Sequence, residues 1–246
     1  MTTYRRFSYV DFRQEPVTGV YAKATHAIAT GADNQEDYTR VGPNREYFEW
    51  IQTGQNDVIF PAATATGWKL PLDTATDGIE ITQGIVAGDP TRMKFVVGTD
   101  AFYIKAKVEV TTLANFEHLG VGFRELGAYA DIGSAAEAIT AYDNKIMIKA
   151  VVTTGITSYT KSVGGTDTSA TITGSPIVTA TAVLWEIHVD TDGVCTAKVG
   201  GTADAIFNAA TPTLLDGITV IPSISAAGNA TGASSIELVT YECGLE

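Results

Sequence analysis

The protein has 246 residues, of which 45% are hydrophobic and 18% are charged, and this composition is typical of a globular protein rather than a disordered or fibrous one. It carries 16 basic and 28 acidic residues, which gives a formal net charge of −12 at pH 7. Such a charge repels nucleic acid phosphates and anionic lipids, so partners of either kind are not expected. The sequence contains no apolar run long enough to predict a transmembrane helix.

The N-terminal residues predict no export signal. Arg5 and Arg6 resemble the basic start of a secretory signal, but Asp11, Arg13 and Glu15 fall where an apolar run would follow. The protein is therefore expected to be made in a cytoplasm.

Residues 1–64 are predicted to form an irregular N-terminal arm that docks on a partner. Hydrophobic alternation is weak in this segment, whereas aromatic and basic residues are frequent. Aromatic residues and arginine dominate the energetics of protein interfaces. The residues expected to dock are Tyr4, Arg5, Arg6, Phe7, Tyr9 and Arg13. A second interpretation stays open, in which the aromatic residues close one end of the same domain as the rest of the chain.

Residues 65–246 are predicted to form an all-β domain, an antiparallel β-sandwich. In residues 101–110, Phe102 and Ile104 begin a hydrophobic face, while Tyr103 and Lys105 begin a polar one. Similar period-two patterns predict strands at 119–124, 145–152, 183–190, 218–224 and 235–242. One face of each strand is expected to be buried and the other exposed, as in an antiparallel sheet. A single short helical turn is predicted, at 134–142.

Asp-Gly and Gly-Gly dipeptides indicate where tight turns are expected, and two further glycines lie within a predicted strand. The dipeptides Asp77-Gly78, Asp192-Gly193, Asp216-Gly217 and Gly164-Gly165 are typical of tight hairpin turns. Gly120 and Gly122 instead lie within a predicted strand, where glycine is expected to allow close packing or a bulge.

The sequence contains no motif for a common catalytic or nucleotide-binding site. No nucleophile elbow, P-loop or dinucleotide-binding motif is present. The three histidines, His26, His118 and His188, stand apart from one another and from any metal-binding pattern, and His188 is expected on the exposed face of its strand.

One segment, which begins at Glu186, partly matches two functional motifs, a glycoside hydrolase motif and a calcium-binding loop. Glu186, His188 and Asp190 resemble the acidic strand motif of β-sandwich glycoside hydrolases, but a histidine replaces one acid and the third acid is missing. Asp190 also begins a calcium-like loop, yet Gly201 stands where the closing glutamate would be, so a β-turn is expected. No enzymatic activity, cofactor or bound metal is therefore predicted.

The two cysteines, Cys195 and Cys243, do not form a disulfide framework or a CxxC motif. Two buried reduced thiols are expected, and a disulfide between two strands is the alternative.

Several short segments in order carry a family resemblance. They are DGIEITQG at 77–84, VGTDAFYIKAK at 97–107, VGFR at 121–124, AYD at 141–143, WEIHVD at 185–190, DGV at 192–194, IP at 221–222 and YECGL at 241–245. Together, over roughly residues 65–246, they resemble a group of virion structural proteins from tailed bacteriophages, especially marine ones. The body of those proteins is similar to a concanavalin A-like jelly roll.

The resemblance implies a structural protein of the virion that is assembled in the host cytoplasm. The leading expectation is a capsid decoration or cement protein that binds the major capsid protein or another virion protein, as a homo-oligomer that by analogy is a trimer. The alternative is a tail fibre, spike or head-fibre module that binds host-surface glycan. In that case Tyr129, Tyr159 and Asn229 are candidates for sugar contacts.

Overall fold

The computed structural model describes a set of segments that covers most of the predicted strands. They are residues 7–11, 17–22, 35–41, 46–53, 62–64, 66–70, 72, 78–83, 93–112, 116–127, 142–151, 157–163, 166–171, 177–178, 180–200, 202–203, 214–228 and 236–246. These segments form 18 strands and no helix, and so none of them provides a helix that could cross a membrane. The predicted helical turn at 134–142 lies outside them, apart from Tyr142.

One sheet has eight strands, all paired antiparallel. Its strands are β1 (Phe7–Asp11), β5 (Ala62–Ala63), β6 (Trp68–Lys69), β9 (Phe102–Val110), β14 (Val183–Val189), β15 (Cys195–Val199), β16 (Thr202–Ala203) and β18 (Ile236–Leu245). They are arranged in the order β16-β15-β14-β9-β18-β6-β5, and β1 also pairs with β18. The first and the last of the described strands, β1 and β18, therefore lie in this sheet and pair with each other.

The other sheet has ten antiparallel strands in the described part of the chain. Its strands are β2 (Val17–Ala22), β3 (Gln35–Val41), β4 (Glu46–Thr53), β7 (Gly78–Thr82), β8 (Phe95–Val96), β10 (Phe116–Glu125), β11 (Lys145–Val151), β12 (Thr157–Val163), β13 (Thr166–Thr171) and β17 (Thr219–Gly228). The order is β13-β12-β11-β10-β17-β7-β4-β3-β2, with β8 also paired to β17. The two sheets confirm the predicted antiparallel β-sandwich.

The hydrophobic core lies between the two sheets. Buried and partly exposed residues alternate along the whole of β9, as the sequence predicts. Phe102 of β9 stacks on Phe95 with 4.7 Å between ring centroids and meets the edge of Phe123 at 4.8 Å. Aromatic pairs of this geometry add to the stabilisation that comes from burial alone.

The N-terminal strands belong to the same sandwich. β1 pairs with β18, and β4 pairs with β7 along Glu49–Thr53. Phe48 of β4 is buried and packs edge-on against two other rings. Its ring centroid lies 5.3 Å from that of Tyr241 and 6.1 Å from that of Trp68. These contacts favour the interpretation in which N-terminal aromatic residues help to close the sandwich. The boundary at residue 64 between an arm and the 65–246 domain stays a prediction.

Two of the four predicted glycine turns are confirmed, at Asp192-Gly193 and Asp216-Gly217. Gly78 instead begins strand β7, where it pairs with Ala227, and Gly164-Gly165 lies outside the described residues. Gly193, between β14 and β15, has a φ of 73°, and Gly217 has a φ of 79°, a region that favours glycine. The Asp190 carboxylate accepts the backbone N–H groups of Asp192 at 2.9 Å and Val194 at 2.8 Å. The Asp190 segment is therefore a β-turn, as expected from the sequence.

The expectation of one exposed face per strand is wrong for the centre of the ten-stranded sheet. Arg124 of β10 and Lys145 of β11, which were expected in solvent, are both fully buried. Gly122 explains the close approach of these strands, because a Cβ at this position would overlap the backbone of Ile146 and Met147. The predicted role of this glycine in close packing is confirmed.

Both cysteines are buried and carry free thiols. Cys195 lies in β15 and Cys243 in β18, so the reduced state predicted from the sequence is observed and the alternative disulfide is not formed.

Candidate functional site

Two polar regions lie on opposite outer surfaces of the sandwich. We define the polar face as the surface of the ten-stranded sheet that points away from the core. We define the outer face as the corresponding surface of the eight-stranded sheet. Several polar side chains on the polar face are buried, whereas the outer face contains a cavity that is open to solvent.

The polar face is organised around one buried carboxylate, Glu80 of β7. It accepts hydrogen bonds from Arg124 Nε at 2.8 Å, from the Ser223 hydroxyl at 2.7 Å and from the Tyr142 hydroxyl. The Arg124 guanidinium also lies over the Tyr142 ring, 4.4 Å from its centroid. Buried charges need such compensation, because leaving water is costly for each ion. The network therefore has a structural role.

Further along the polar face, two buried side chains have no hydrogen-bond partner among the described residues. These are His118, both of whose ring nitrogens are unbonded, and Ser225. Burial, together with the nearby charge of Lys149, lowers the pKa of His118 to about 3, so its imidazole is neutral. Such groups are commonly satisfied by an internal water molecule, so they do not require a ligand from outside.

The cavity on the outer face has a volume of about 240 Å³. Its lining residues come from β14, β15, the turn between them and the end of the chain: His188, Asp190, Val194, Thr196, Lys198 and Glu246. Alternation explains the arrangement. His188 follows the buried Ile187, and Thr196 and Lys198 flank the buried Ala197, so all three side chains project outward.

His188 is held in place by contacts on several sides. Its ring stacks on Tyr103 of β9, with centroids 5.7 Å apart and planes 21° from parallel. Its Nδ1 is paired with the Glu246 carboxylate, and its Nε2 lies 3.7 Å from a carboxylate oxygen of Glu186. The imidazole is therefore a fixed wall of the cavity rather than a freely rotating group.

Tyr103, which stacks on the His188 ring, is itself held by neighbouring side chains. Its hydroxyl donates a hydrogen bond to Glu242 at 2.7 Å, and the Lys105 ammonium lies 4.8 Å from its ring centroid. Burial and the neighbouring Glu242 carboxylate raise the pKa of the Tyr103 phenol well above its ordinary value. The phenol thus stays protonated and remains a hydrogen-bond donor over the whole physiological range.

Lys198 and Thr196 are the polar groups of the cavity that the fold leaves available. Lys198 has no salt bridge with any residue that the structure describes, and the exposed Thr196 hydroxyl has no described hydrogen bond. Together with the carboxylates of Asp190 and Glu246, they bring donors and acceptors together around one fixed ring. This combination can bind a small polar molecule that both donates and accepts hydrogen bonds.

Only some of the site residues predicted from the sequence lie in the described part of the chain, and their proposed contacts stay predictions. Phe7 and Tyr9 lie in β1, and the Tyr9 side chain is 49% exposed. The other four predicted docking residues lie outside the described residues: Tyr4, Arg5, Arg6 and Arg13. Of the sugar-contact candidates, Tyr159 lies in β12, and Tyr129 and Asn229 lie outside the described residues.

The cavity itself was not anticipated from the sequence. His188 was expected on the exposed face of its strand, and it lies there, but its contacts with Tyr103 and Glu246 join segments far apart in the chain. The alternation of β9 and β14 indicated the correct face without indicating which strands are neighbours. Among the described residues, no group of three or more His, Cys, Asp or Glu side chains could hold a metal ion.

Comparisons with known proteins identify the fold class. The structure is similar to the crystal structure of the Emp47p carbohydrate recognition domain, with a TM-score of 0.55 and 10% identity over 84% of this chain and 90% of that one. It is also similar to the potassium-bound carbohydrate recognition domain of Emp46p, with a TM-score of 0.50 and 10% identity over 79% and 88%. No protein-family model and no curated protein sequence matches the chain.

At such low identity the likeness shows the fold alone. The chain has a concanavalin A-like β-sandwich, which confirms the fold class implied by the sequence resemblance.

Proposed function

We propose that the protein is a non-catalytic binding protein and that an uncharged glycan occupies the cavity on the outer face. The observation that carries this proposal is the arrangement around His188. The His188 ring stacks on Tyr103. Beside it, in a cavity of about 240 Å³, lie the Lys198 ammonium, the Thr196 hydroxyl and the carboxylates of Asp190 and Glu246.

The chemistry of a sugar fits these groups. A pyranose has an apolar ring face that can lie against the His188 imidazole, and its hydroxyls both donate and accept hydrogen bonds. Lys198 can donate to a sugar oxygen, while Asp190 and Glu246 can accept from sugar hydroxyls. Since the two carboxylates outnumber the single ammonium, an anionic sugar would be disfavoured.

A binding role without catalysis is supported by how the carboxylates are used. Asp190 holds the turn through two backbone N–H groups, and Glu246 holds His188. Hydrolysis of a glycosidic bond instead needs two acids free to act on opposite sides of the sugar. The two similar structures are both named carbohydrate recognition domains, which agrees with a sugar ligand for this chain.

The biological setting that we propose comes from the sequence resemblance. In this setting the protein is a fibre, spike or head-fibre component of a tailed-bacteriophage virion, is assembled in the host cytoplasm, and binds host-surface glycan. We propose that it acts as a homo-oligomer, by analogy a trimer. Several weak sugar sites on one particle would then bind much more strongly together than singly.

The test is a glycan array followed by titration of the bound sugar class with two matched variants. Lys198→Ala removes the ammonium of the cavity, and Lys94→Ala removes an exposed lysine outside it. We expect the wild type to bind one class of uncharged glycan, Lys198→Ala to bind it at least tenfold more weakly, and Lys94→Ala to bind as the wild type. Failure of the wild type to bind any glycan, or equal binding by all three proteins, would overturn the proposal.

A second candidate function is capsid decoration, and the exposure of Tyr9 favours it. Tyr9 lies in β1, which pairs only with β18 among the described strands and is thus an edge strand. An aromatic side chain that is 49% exposed at an edge is suited to burial against a capsid protein. This role would place the protein on the shell, bound to the major capsid protein.

The two candidates are separated by capsid occupancy. Deleting residues 1–15 would remove β1 and expose β18, so a deletion of residues 1–6 combined with Tyr9→Ser is the better variant. Unchanged occupancy of purified particles would contradict decoration through this segment, provided that the variant keeps the thermal stability of the wild type.

A further inference from the structure

Resting on the proposed function, we infer that the glycan is an uncharged oligosaccharide that crosses the outer face from the cavity to Tyr9, perpendicular to the strands. The juxtaposition that carries this inference is a single row of directly opposed residues across five strands. The row consists of Lys198 of β15, Glu186 of β14, Lys105 of β9, Glu242 of β18 and Tyr9 of β1.

The register establishes that all five side chains share one face. Lys198 opposes Glu186, Glu186 opposes Lys105, Lys105 opposes Glu242, and Glu242 opposes Tyr9. Directly opposed residues of antiparallel strands project to the same side. Since Lys198 lines the cavity, Tyr9 is the far end of the surface that begins there.

The length of the row determines the size of the ligand. Four strand spacings of about 4.8 Å separate Lys198 from Tyr9, a span of roughly 19 Å. A monosaccharide fits within the cavity but cannot reach Tyr9. Only an oligosaccharide can contact both ends of the row.

The charges along the row select against charged polymers. Starting at the cavity, the side chains alternate between ammonium and carboxylate, and they are only partly exposed, with 31% for Lys105 and 28% for Glu242. A polyanion would meet Glu186 and Glu242, and a polycation would meet Lys105 and Lys198. A neutral chain of hydroxyl groups can instead donate to the carboxylates and accept from the ammonium groups.

Tyr9 provides the stacking surface at the far end. Among the residues whose exposure the structure describes, it is one of three large hydrophobic side chains that are more than 45% exposed, the others being Val178 and Leu215. Its ring can cover the apolar face of a sugar unit, whereas the ring of Tyr103 is already stacked on His188. The exposed aromatic is thus accounted for by a ligand that extends beyond the cavity.

The experiment measures how affinity depends on ligand length. Malto-, manno- and galacto-oligosaccharides from the monosaccharide to the hexasaccharide are titrated calorimetrically against the wild type, Tyr9→Ser, Tyr9→Phe and Val178→Ser. Val178 is the matched control because it is exposed but lies away from the row. The row crosses β9 at Lys105, whereas the segment after Val178 lies at the end of β9, where Ala180 N–H donates to the Val110 carbonyl. Thermal melting of each variant checks that β1 remains folded.

We expect the hexasaccharide of the bound series to bind the wild type more tightly than the monosaccharide does. Tyr9→Ser should weaken hexasaccharide binding about fivefold to tenfold and leave the monosaccharide unchanged, because only the longer ligand reaches the ring. Tyr9→Phe and Val178→Ser should bind as the wild type.

Failure of this inference differs from failure of the proposed function. If the monosaccharide binds through Lys198 but the affinity does not rise with length, or Tyr9→Ser binds every length as the wild type does, the extended path is wrong and the cavity site stands. If no uncharged sugar of any length binds the wild type, the proposed function is itself wrong.

Discussion

Glu80 and Arg124 form an ion pair of 2.8 Å inside the protein, with side chains that are 1% and 0% exposed. The two residues lie on strands β7 and β10, which do not pair with each other but both pair with β17. Ser223 of that intervening strand donates to the same Glu80 oxygen as Arg124 Nε. The ion pair thus bridges across one strand and ties three strands of the sheet together on the polar face.

Replacing Arg124 with methionine should lower the free energy of unfolding by about 3–5 kcal/mol, because Glu80 would remain buried without its counter-ion. Urea unfolding measures the change. Lys105→Met is the control, since the Lys105–Glu242 pair is 3.8 Å long and partly exposed, and its loss should cost less than about 1 kcal/mol. Equal losses in the two variants would contradict the structural role assigned to the buried pair.

Gly122→Ala should destabilise the protein by about 1–3 kcal/mol, because a Cβ would lie 2.7 Å from the Met147 Cα and overlap the Ile146 carbonyl. The obstacle is backbone, which can move only if strands β10 and β11 separate. Gly127→Ala is the matched substitution, since nothing lies within 4 Å of a Cβ there and its change should stay within about 0.5 kcal/mol. The comparison uses thermal and urea unfolding, and similar stabilities for the two variants would refute the close approach.

The thiols of Cys195 and Cys243 should be inert in the native protein and reactive after unfolding. Both are buried, and burial raises the pKa of the Cys243 thiol well above its ordinary value, so little thiolate forms. Labelling with a disulfide reagent near pH 8 should modify neither cysteine of the folded protein and both in denaturant. Rapid labelling of either thiol without denaturant would show that the strands around it open readily.

His118 should make the folded state less stable in mild acid. Its pKa is about 3 in the folded protein, against about 6.5 in an unfolded chain. Between these values the unfolded chain binds a proton that the folded protein does not, so the free energy of unfolding falls as the pH is lowered through this range. The fall attributable to His118 is at most about 1.4 kcal/mol per pH unit.

The measurement compares urea unfolding of the wild type and His118→Leu between pH 7 and pH 4. Titration of the carboxylates affects both proteins, so the difference between the two curves isolates His118. We expect the variant to gain stability relative to the wild type as the pH falls. Two parallel curves would mean that His118 is protonated in the folded protein or is not buried.

The sequence predicts some surfaces of this fold much better than others. Along β9 the alternation of Phe102 and Ile104 with Tyr103 and Lys105 correctly assigned the two faces, because one face contacts the core and the other contacts solvent. The same rule was wrong for Arg124 and Lys145, which are buried on the face away from the core. Alternation shows which residues share a face, but whether that face is covered depends on contacts from elsewhere in the chain.

For the candidate site, too, the sequence indicated which face a side chain occupies but not which strands are neighbours. The sequence alone placed His188 and Glu186 on an exposed face and predicted the turn after Asp190, and it gave Tyr9 as one of six expected docking residues. It contained no signal that Lys198 and Tyr9 end a single row, since they are brought into line by three intervening strands from three parts of the chain.

The amino-acid sequence by itself determined six of the strand positions, two of the turns and the orientation of most side chains in those strands, because these depend on neighbouring residues and on backbone geometry. Only the tertiary structure decided which strands are neighbours, which charges are paired inside and where a cavity opens. Those features arise from pairing between distant segments, and the free energy that selects one pairing is gained only when both sheets pack together.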